Sequence, residues 1–509
     1  MIAAFFILLL FSIRFINVNL LPVFADEAIY VRWSQVMRAE ETLRFLPLSD
    51  GKQPLFMWIT ILFFKLFEDP LLAGRFVSIF AGLGTLLGVA TASYILFKNK
   101  IVTLVASLFY ALSPFTFFFD RMALADSLLS MFGIWTFIFG YLSIKKSRLD
   151  LAMIAGFTLG GAWLTKSPAL FFALMLPFFW LFAPWKKGLK KNLRVFLKSL
   201  SLSLISIAIG FGFYNILRLG PNFHMIAIRN MDYVYPLGHL FERPFDPLKV
   251  FMVASFKWIW VMGPLSLLVL SLISYFANIK NYGKQILVLT IWFLGPIIVQ
   301  SEFAKTLTAR YFLFTIPYLI LLAASVFTTK NKLVRNISTA FVALFIIQSS
   351  IFNYHLISNP EKAPLPRVER SGYLEEWTAG HGIKETADYL IREQEANPQE
   401  KIVIGTEGYF GTLPDGLQMY LNDYPQITAI GVGLTFDELP TPLYESKKFG
   451  NKTYLLVNDS RYYYDPEKKG LKLVKEFPKA EKPTGVRDSL LLLEVTDEAV
   501  FQKDISGKN

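Results

Sequence analysis

Apolar runs of about 20 residues recur along the first 360 positions of this chain, and they restrict it to one kind of fold. A helix needs ~20 mostly apolar residues to cross the ~30 Å hydrocarbon core of a bilayer. The sequence predicts about eleven such helices. They lie near residues 3–21, 71–97, 101–119, 127–144, 149–165, 167–184, 195–216, 251–276, 285–300, 311–328 and 335–356.

The composition indicates the same class of protein. Hydrophobic residues make up 54% of the 509 positions and charged residues only 18%, whereas about 25% are charged in an ordinary soluble domain. A soluble enzyme, a disordered chain and a fibrous protein are therefore excluded. Because cysteine is absent, disulfides, zinc–thiolate sites, iron–sulfur clusters and thiol nucleophiles are excluded as well.

The charges divide the chain in two. Residues 361–509 contain 19 Lys and Arg against 25 Asp and Glu, which leaves 32 basic and 14 acidic residues in 1–360. The basic excess lies in short loops between apolar runs, such as residues 186–198, as is typical of cytoplasmic membrane loops and not of a nucleic-acid groove. The sequence therefore predicts a multi-pass protein of the cell membrane, with a cytoplasmic N-terminus, an extracytoplasmic C-terminal domain and no nucleic-acid partner.

The segment 55–67 tests this sidedness. It is apolar but only 13 residues long, and Lys65 interrupts it. Counting it as a span would place the basic loops outside, so its length and the charge rule together predict an interfacial helix on the outer surface. The stretch 28–45 is amphipathic in the same way. Both belong to a predicted first external loop, residues 22–70, of a transmembrane domain that covers 1–358.

The chain changes character near residue 359. After a Pro-rich, charged linker, the helical spacing of "GIKETADYLIREQ" alternates with β-rich runs such as "KIVIGT", "KTYLLVND" and "DSLLLLEV". This alternation is typical of a small α/β domain. The predicted fold class is a polytopic α-helical membrane protein of about eleven transmembrane helices with outer-surface interfacial helices. A small soluble α/β domain follows over residues 359–509.

Three groups of charged residues lie at the predicted outer ends of spans, where acids are costly to desolvate. Each group alone has a structural explanation: a cap at a helix start, a local interfacial ion pair, or an aromatic and basic anchor. Lys166 is best explained as a helix-end residue that snorkels. Together, in this order and on one side, the groups favour a cavity with carboxylates and cations at the membrane–water boundary. They are Asp26, Glu27 and Lys52; Asp120, Arg121 and Asp126; and Glu302, Lys305, Arg310 and Tyr311.

Six ordered motifs carry a family resemblance. They are "FADEAIYVRWSQ", "GKQPLFMWI", "LLAGRFVS", "SPFTFFFDRMALADSLL", "WLTKSPAL" and "ARYFLFTIPYL". This set resembles the GT-C glycosyltransferases of the protein O-mannosyltransferase and aminoarabinose transferase superfamily over roughly residues 1–330. Family members often have Pro where this chain has Gln53, which is a mild departure. The resemblance implies a GT-C type of transmembrane fold.

The resemblance also implies a reaction, the inverting transfer of a sugar from a polyprenyl-phosphate donor to a protein, lipid or glycan acceptor at the outer face of the membrane. An attacking hydroxyl or amine needs a carboxylate within reach to accept its proton. By match to the family motif, Asp26 is the catalytic base, with Glu27 beside it. Asp126, the acid of an R-x-x-x-x-D pattern, is the third candidate catalytic residue and orients the acceptor or the sugar.

The departing lipid phosphate gains negative charge, which fixed cations stabilise. The resemblance assigns this role to Lys52 and Arg310. Arg121 supports Asp126, and Asp120 and Tyr311 complete the predicted substrate-binding group. The isoprenoid part of the donor requires membrane lipid around the site.

Two questions stay open at this stage. Asp26 and Glu27 are carboxylates that suit Mg²⁺ or Mn²⁺, and members of the superfamily differ in their dependence on metal. The alternative function is a transporter or lipid flippase, which usually has ionisable sites near the bilayer midplane. Arg14 is the only charge deep within a predicted span, so the charge pattern favours the transferase.

Overall fold

The computed structural model describes residues 2–463 and 465–506, and most of these residues are helical. The helices are α1 (Ile2–Ser12), α2 (Ala25–Ala39), α3 (Leu55–Phe63), α4 (Pro70–Phe97), α5 (Lys100–Leu112), α6 (Pro114–Phe119), α7 (Ala125–Lys146), α8 (Leu149–Thr165), α9 (Leu170–Met175), α10 (Leu189–Tyr214), α11 (Met225–Tyr233), α12 (His239–Glu242), α13 (Leu248–Met262), α14 (Leu265–Phe303), α15 (Ile316–Ala324), α16 (Lys332–Ser358), α17 (Arg367–Arg370), α18 (Ile383–Ala396), α19 (Asp415–Tyr420), α20 (Thr441–Lys448) and α21 (Asp497–Ser506). The strands are β1 (Val23–Phe24), β2 (Ala379–Gly380), β3 (Ile402–Glu407), β4 (Ile427–Gly433), β5 (Lys452–Asn458), β6 (Leu471–Pro478) and β7 (Ser489–Val495).

Seven helical segments among the described residues are long and apolar enough to cross a membrane. Three shorter apolar helices, at 100–112, 149–165 and 167–182, coincide with further predicted spans. The chain is thus a multi-pass membrane protein. By contrast, α3 has nine residues and rises only about 14 Å, which is too short to cross. The seven segments are Ala3–Leu20, Pro70–Phe97, Ala125–Lys146, Leu189–Leu219, Leu265–Phe303, Ala309–Thr328 and Lys332–Ser358.

The helices between residues 248 and 303 depart from the predicted spans 251–276 and 285–300. α13 ends at Met262, because Pro264 has no N–H to donate and restricts the residue before it. α14 then runs for 39 residues, with one non-helical residue, Tyr282, at φ −129° and ψ 26°. The break falls in the polar stretch that the sequence assigned to a loop.

The chain folds into two compact units. Within the first unit, small residues allow α8 to pack closely on its neighbours. A Cβ on Gly156 would lie 2.7 Å from Cβ of Ile209, and one on Gly160 would lie 2.7 Å from Cβ of Phe213, both on α10. Such small residues four apart permit the close helix crossings of membrane proteins. The first unit comprises Met1–Val18, Glu40–Thr60 and Arg75–Pro366, and the second comprises Asn19–Ala39, Ile61–Gly74 and Arg367–Asn509.

The second unit contains the α/β domain that the C-terminal sequence predicts. Its five-stranded sheet has the order β4-β3-β5-β7-β6, in which β3 is parallel to β4 and β5, while β7 is antiparallel to β5 and β6. Buried apolar residues of α20, β5 and β7 form a core on one face of the sheet. The small antiparallel pair of β1 and β2 joins Val23 to Gly380, and residues 19–39, which include α2, belong to this unit. The predicted boundary between residues 358 and 359 stays a prediction.

Candidate functional site

A tight turn before α3 sets the position of Lys52. The preceding 3₁₀ turn ends at Gly51, which has φ +67°, and a Cβ there would lie 2.7 Å from Cβ of Arg229. Only glycine fits this close approach without strain. The turn brings Asp50 against Arg229, with an Nη2–Oδ1 distance of 2.7 Å, and Asp50 also forms an ion pair with Lys52.

A second ion pair joins α7 to the end of α8. Asp126 lies in the first turn of α7, where the helix dipole favours a carboxylate. Lys166 follows the last residue of α8 in an extended conformation, and its Nζ donates to Oδ1 of Asp126 at 2.6 Å. The Asp126 side chain is 5% exposed and that of Lys166 is 20% exposed. Lys166 is therefore a partner of Asp126 and not merely a snorkelling residue.

Tyr311 connects this pair to the start of the apolar segment Ala309–Thr328. Nζ of Lys166 lies 4.5 Å from the centroid of the Tyr311 ring, and Cζ of Arg310 lies 5.4 Å from the same centroid. Cations over an aromatic face are attracted by the ring quadrupole. The ring thus holds two cations near Asp126.

The two ion pairs are linked to each other within the first unit. Nε2 of Gln53, next to Lys52, donates to Oγ of Ser167 at 2.8 Å, next to Lys166. Tyr233 lies within electrostatic reach of both Lys52 and Tyr311, and burial raises the pKa of its phenol, which therefore stays protonated and can donate. Because Gln53 makes this link, the residue in which the chain departs from the family motif has a local role.

We call these residues the cation cluster: Lys52, Lys166, Arg229 and Arg310, with the acids Asp50, Asp126 and Asp232 and the ring of Tyr311. Asp232 belongs to it because its Oδ2 lies 2.6 Å from Nη1 of Arg229. Four positive charges face three negative charges, so the cluster keeps a formal charge of +1. This excess of positive charge favours an anionic phosphate group, and the guanidinium and ammonium donors suit phosphate oxygens.

Two of the predicted site residues lie at the start of α2, in the second unit. Oε2 of Glu27 accepts a hydrogen bond from the backbone N of Phe24 at 3.0 Å, and the Glu27 side chain is fully buried. This is the reciprocal bond of a capping box and fixes the beginning of the helix. Asp26 is only half-buried. Glu27 thus caps α2, and the catalytic roles of Asp26 and Glu27 both stay predictions.

The predicted pair Asp120 and Arg121 makes contacts other than with Asp126. Asp120 is fully buried and pairs with Nε of Arg14 at 3.3 Å, while it also accepts from Tyr110 and Ser127. Arg121 Nη2 donates to the backbone oxygens of residues 16 and 17, at 2.8 and 2.9 Å. These bonds satisfy carbonyls where the first span ends. A substrate-binding role for Asp120 and Arg121 stays a prediction, although the observed contacts are structural.

Sequence reasoning missed Asp50 and Arg229 as members of the cluster. Asp50 offered a local signal, because an acid, a glycine and a lysine in succession form a turn that can pair its own charges. Arg229 offered none, since it lies 179 positions from Asp50 and only the fold brings them together.

The carboxylates do not fit a metal centre with three or more protein ligands. No group of three His, Asp or Glu side chains with suitable spacing occurs among residues 2–463 and 465–506. Asp50 and Asp126 are each neutralised by a cation at hydrogen-bond distance.

Part of the chain matches a known protein family. Residues 51–210 match the family model described as dolichyl-phosphate-mannose-protein mannosyltransferase, a range that includes Lys52, Asp126 and Lys166. None of the curated protein sequences matches the chain.

Two solved structures resemble the whole chain. ArnT from Cupriavidus metallidurans in the apo state is 14% identical, with a TM-score of 0.59, and the match covers 97% of this chain and 98% of ArnT. The same protein bound to undecaprenyl phosphate is 14% identical, with a TM-score of 0.55 and coverage of 96% and 97%. The GT-C fold predicted from the six motifs is confirmed by these likenesses.

Proposed function

We propose that the chain is an inverting glycosyltransferase that moves a sugar from a polyprenyl-phosphate donor to an acceptor at the outer face of the membrane. The observation that carries the proposal is the cation cluster, which keeps a formal charge of +1 at the end of apolar helices. A lipid phosphate needs such a place, because its headgroup must be neutralised while its hydrocarbon stays in the bilayer.

The comparisons support the same substrate class. The family model matched by residues 51–210 is named for dolichyl-phosphate-mannose donors, and the structurally similar ArnT binds undecaprenyl phosphate. Both ligands are polyprenyl phosphates. The shared fold alone does not carry an activity, so the charges of the cation cluster supply the chemical argument.

The proposed reaction has one bond formed and one broken at the anomeric carbon. Asp26 accepts the proton of the acceptor hydroxyl or amine. The acceptor atom bonds to the anomeric carbon from the face opposite the phosphate, which inverts the configuration. The bond from that carbon to the phosphate oxygen breaks, and its electron pair stays on the phosphate.

The cation cluster acts on the leaving group. In the donor the phosphate is a diester with one negative charge, and as polyprenyl phosphate departs it approaches two. The four cations of the cluster stabilise the more negative phosphate of the transition state more than they stabilise the phosphate of the bound donor. Only such a difference accelerates the reaction. The cations are those of Lys52, Lys166, Arg229 and Arg310. Asp50 and Asp126 hold the cations in place through their ion pairs.

The proposed topology follows the charge distribution of the sequence. The basic loops lie in the cytoplasm with the N-terminus, and the C-terminal α/β domain lies outside with the site. The acceptor, whether protein, lipid or glycan, meets the donor at that outer surface.

The transporter alternative gains no support from the charge within the first span. Arg14 is fully buried, and its guanidinium donates to the backbone oxygens of Ala111 and Tyr110, to Thr116 and to Asp120. These bonds give each nitrogen of the guanidinium a partner, as expected of a structural arginine. A transport site would need polar or charged groups that are available to bind the transported ion.

The test uses purified protein in lipid nanodiscs, supplied with a panel of polyprenyl-phosphate sugars and native membrane extract. Mass spectrometry follows the release of free polyprenyl phosphate. We expect release by the wild type and by Asp150→Asn, an exposed acid paired with Arg148, and none by Asp26→Asn. Full activity of a folded Asp26→Asn protein would remove Asp26 as the base. Absence of release from every donor would contradict the transferase.

A further inference from the structure

We define as the crevice the gap beyond the carboxyl ends of the parallel strands β3 and β5 in the second unit, which the proposed transfer does not use. β3 lies between β4 and β5 and is parallel to both. The chain leaves β3 towards β4 on one side and leaves β5 towards β6 and β7 on the other. In open α/β sheets, ligands bind outside the carboxyl ends of the strands where successive connections diverge in this way.

Buried polar side chains occupy the ends of these two strands. Glu407, the last residue of β3, accepts hydrogen bonds from the backbone N and Nδ2 of Asn458, at 2.8 and 2.7 Å. Asn458 is the last residue of β5, and Nε of Arg461 lies 3.6 Å from the Glu407 carboxylate. A carboxylate, an amide and a guanidinium therefore converge at the gap between β3 and β5.

Asn458 has an unused acceptor at this point. Its side chain is 2% exposed, and its Oδ1 accepts no hydrogen bond within the part of the chain that the structure describes. Buried polar atoms normally have a partner. A hydroxyl donor from a ligand would satisfy it.

An aromatic ring spans the same gap. Cζ of Arg461 lies 4.5 Å from the centroid of Trp377, and a Cβ on Gly411, in the loop after β3, would lie 3.9 Å from Cζ3 of the indole. Trp377 therefore contacts the loops that follow both strands. It is 40% exposed, and Tyr409 in the loop after β3 is 68% exposed. Large aromatic surfaces left in solvent beside buried polar groups are typical of a binding site.

We propose that this crevice binds the neutral sugar rings of an oligosaccharide. The C–H faces of a sugar pack on aromatic rings, whose faces carry partial negative charge, and its hydroxyls pair with planar groups such as those of Glu407, Asn458 and Arg461. A phosphate fits less well, because Oδ2 of Asp415 already accepts the Gly411 N–H at 2.8 Å. Glu407 and Asp415 would also repel an anion.

The experiment measures saccharide binding by the full chain in nanodiscs. Saturation-transfer NMR and titration use mannobiose, maltotriose, cellotriose and chitotriose as probes. For the saccharide that binds wild type, we expect Trp377→Ala and Arg461→Met each to weaken affinity at least tenfold. The matched control is Phe449→Ala, an 85% exposed aromatic at the end of α20, which precedes β5 and so lies at the amino edge of the sheet. Its affinity should equal that of wild type.

Three results would overturn the inference. They are the absence of binding by all four saccharides, unchanged binding by Trp377→Ala, and an equal loss in Phe449→Ala. Asp26→Asn separates this site from the transfer site. Saccharide binding that disappears with Asp26 belongs to the transfer site and contradicts the crevice, whereas binding that persists when donor release is lost supports it.

Discussion

At the scale of single residues, the structure separates two kinds of buried charge. The pair of Asp126 and Lys166 lies beside Tyr311 and keeps partial exposure, so its charges can act on a ligand. The pair of Asp120 and Arg14 is fully buried and bonded to backbone carbonyls. Removing one partner of a buried pair leaves an uncompensated charge and is strongly destabilising. Substitution should therefore affect activity at the first pair and stability at the second.

Lys166→Gln should reduce the rate of transfer without unfolding the protein. It removes one of the four cations that we propose stabilise the leaving phosphate, and the loss of one such group costs about 10²–10³ in rate. Lys166→Arg keeps the charge and should recover part of the activity. Steady-state kinetics with varied donor and acceptor should show the loss in kcat and in kcat/KM for the donor. A loss confined to the acceptor KM would contradict a phosphate contact.

Asp120→Asn should lower stability and leave the chemistry of correctly folded molecules intact. Breaking a buried ion pair by removal of one partner costs about 3–5 kcal/mol. Thermal unfolding in nanodiscs should show a large decrease, and the double variant Arg14→Met/Asp120→Asn should lose less than the two single variants together. A normally stable Asp120→Asn protein that fails to transfer sugar would instead place Asp120 in the substrate-binding group.

At the scale of elements, turns and helix ends set the positions of the charged side chains. Lys52 follows a glycine turn, Asp126 lies in the first turn of α7, and Lys166 directly follows α8. The close packing of α8 on α10 through Gly156 and Gly160 then fixes the end of α8.

Gly51→Ala tests the turn. An alanine at φ +67° is strained by about 1 kcal/mol, and its Cβ would clash with Arg229, so Lys52 and Arg229 must separate. We expect weaker donor binding, by roughly tenfold, with the acceptor KM unchanged. Gly238→Ala is the control, because its φ is −58° and a Cβ there meets no atom within 4 Å. Equal donor KM values for the two variants would show that the turn does not position the cluster.

Lys479 provides a test of the α/β domain by pH. Burial lowers its pKa to about 8, although Glu407 and Asp488 oppose the shift, whereas an unfolded lysine titrates near ~10.4. Between these values the unfolded chain binds more protons than the folded one. The free energy of unfolding should therefore rise with pH across this window, by about 3 kcal/mol in total.

Hydrogen exchange of the peptide that covers β7 measures this dependence in urea. At each pH, the exchange rate of this peptide in the wild type is divided by its rate in Lys479→Met. The intrinsic exchange rate, which is the same in both proteins, cancels in this ratio. The ratio should change between pH 8 and 10 because only the wild type gains stability there. A constant ratio would mean that the protonation of Lys479 does not differ between the folded and unfolded protein from pH 8 to 10.

At the scale of the whole molecule, the sequence predicts structures that depend on a pattern repeated over many residues. It does not predict contacts between distant segments. The apolar runs predicted the membrane fold, and α18, β3, β5 and β7 appear where the tail sequence predicts them. β4 and β6 were missed, because neither of their sequences alternates strictly between apolar and polar residues. Arg229, which lies on α11, was missed because a single charge on a short helix gives no local sign of its partner.

The sidedness of the whole chain is the prediction on which the proposed function depends most. Because the sequence lacks cysteine, a single introduced thiol reports one position without background. Lys190 lies exposed in the first turn of α10, within the basic stretch 186–198, and Asn397 lies exposed after α18. In intact cells, a membrane-impermeant maleimide should label Asn397→Cys at once and Lys190→Cys only after the membrane is permeabilised. Donor release by each variant is the control for folding. The reverse pattern would place the basic loops outside, and the C-terminal domain would then lie on the opposite side of the membrane from the proposed reaction.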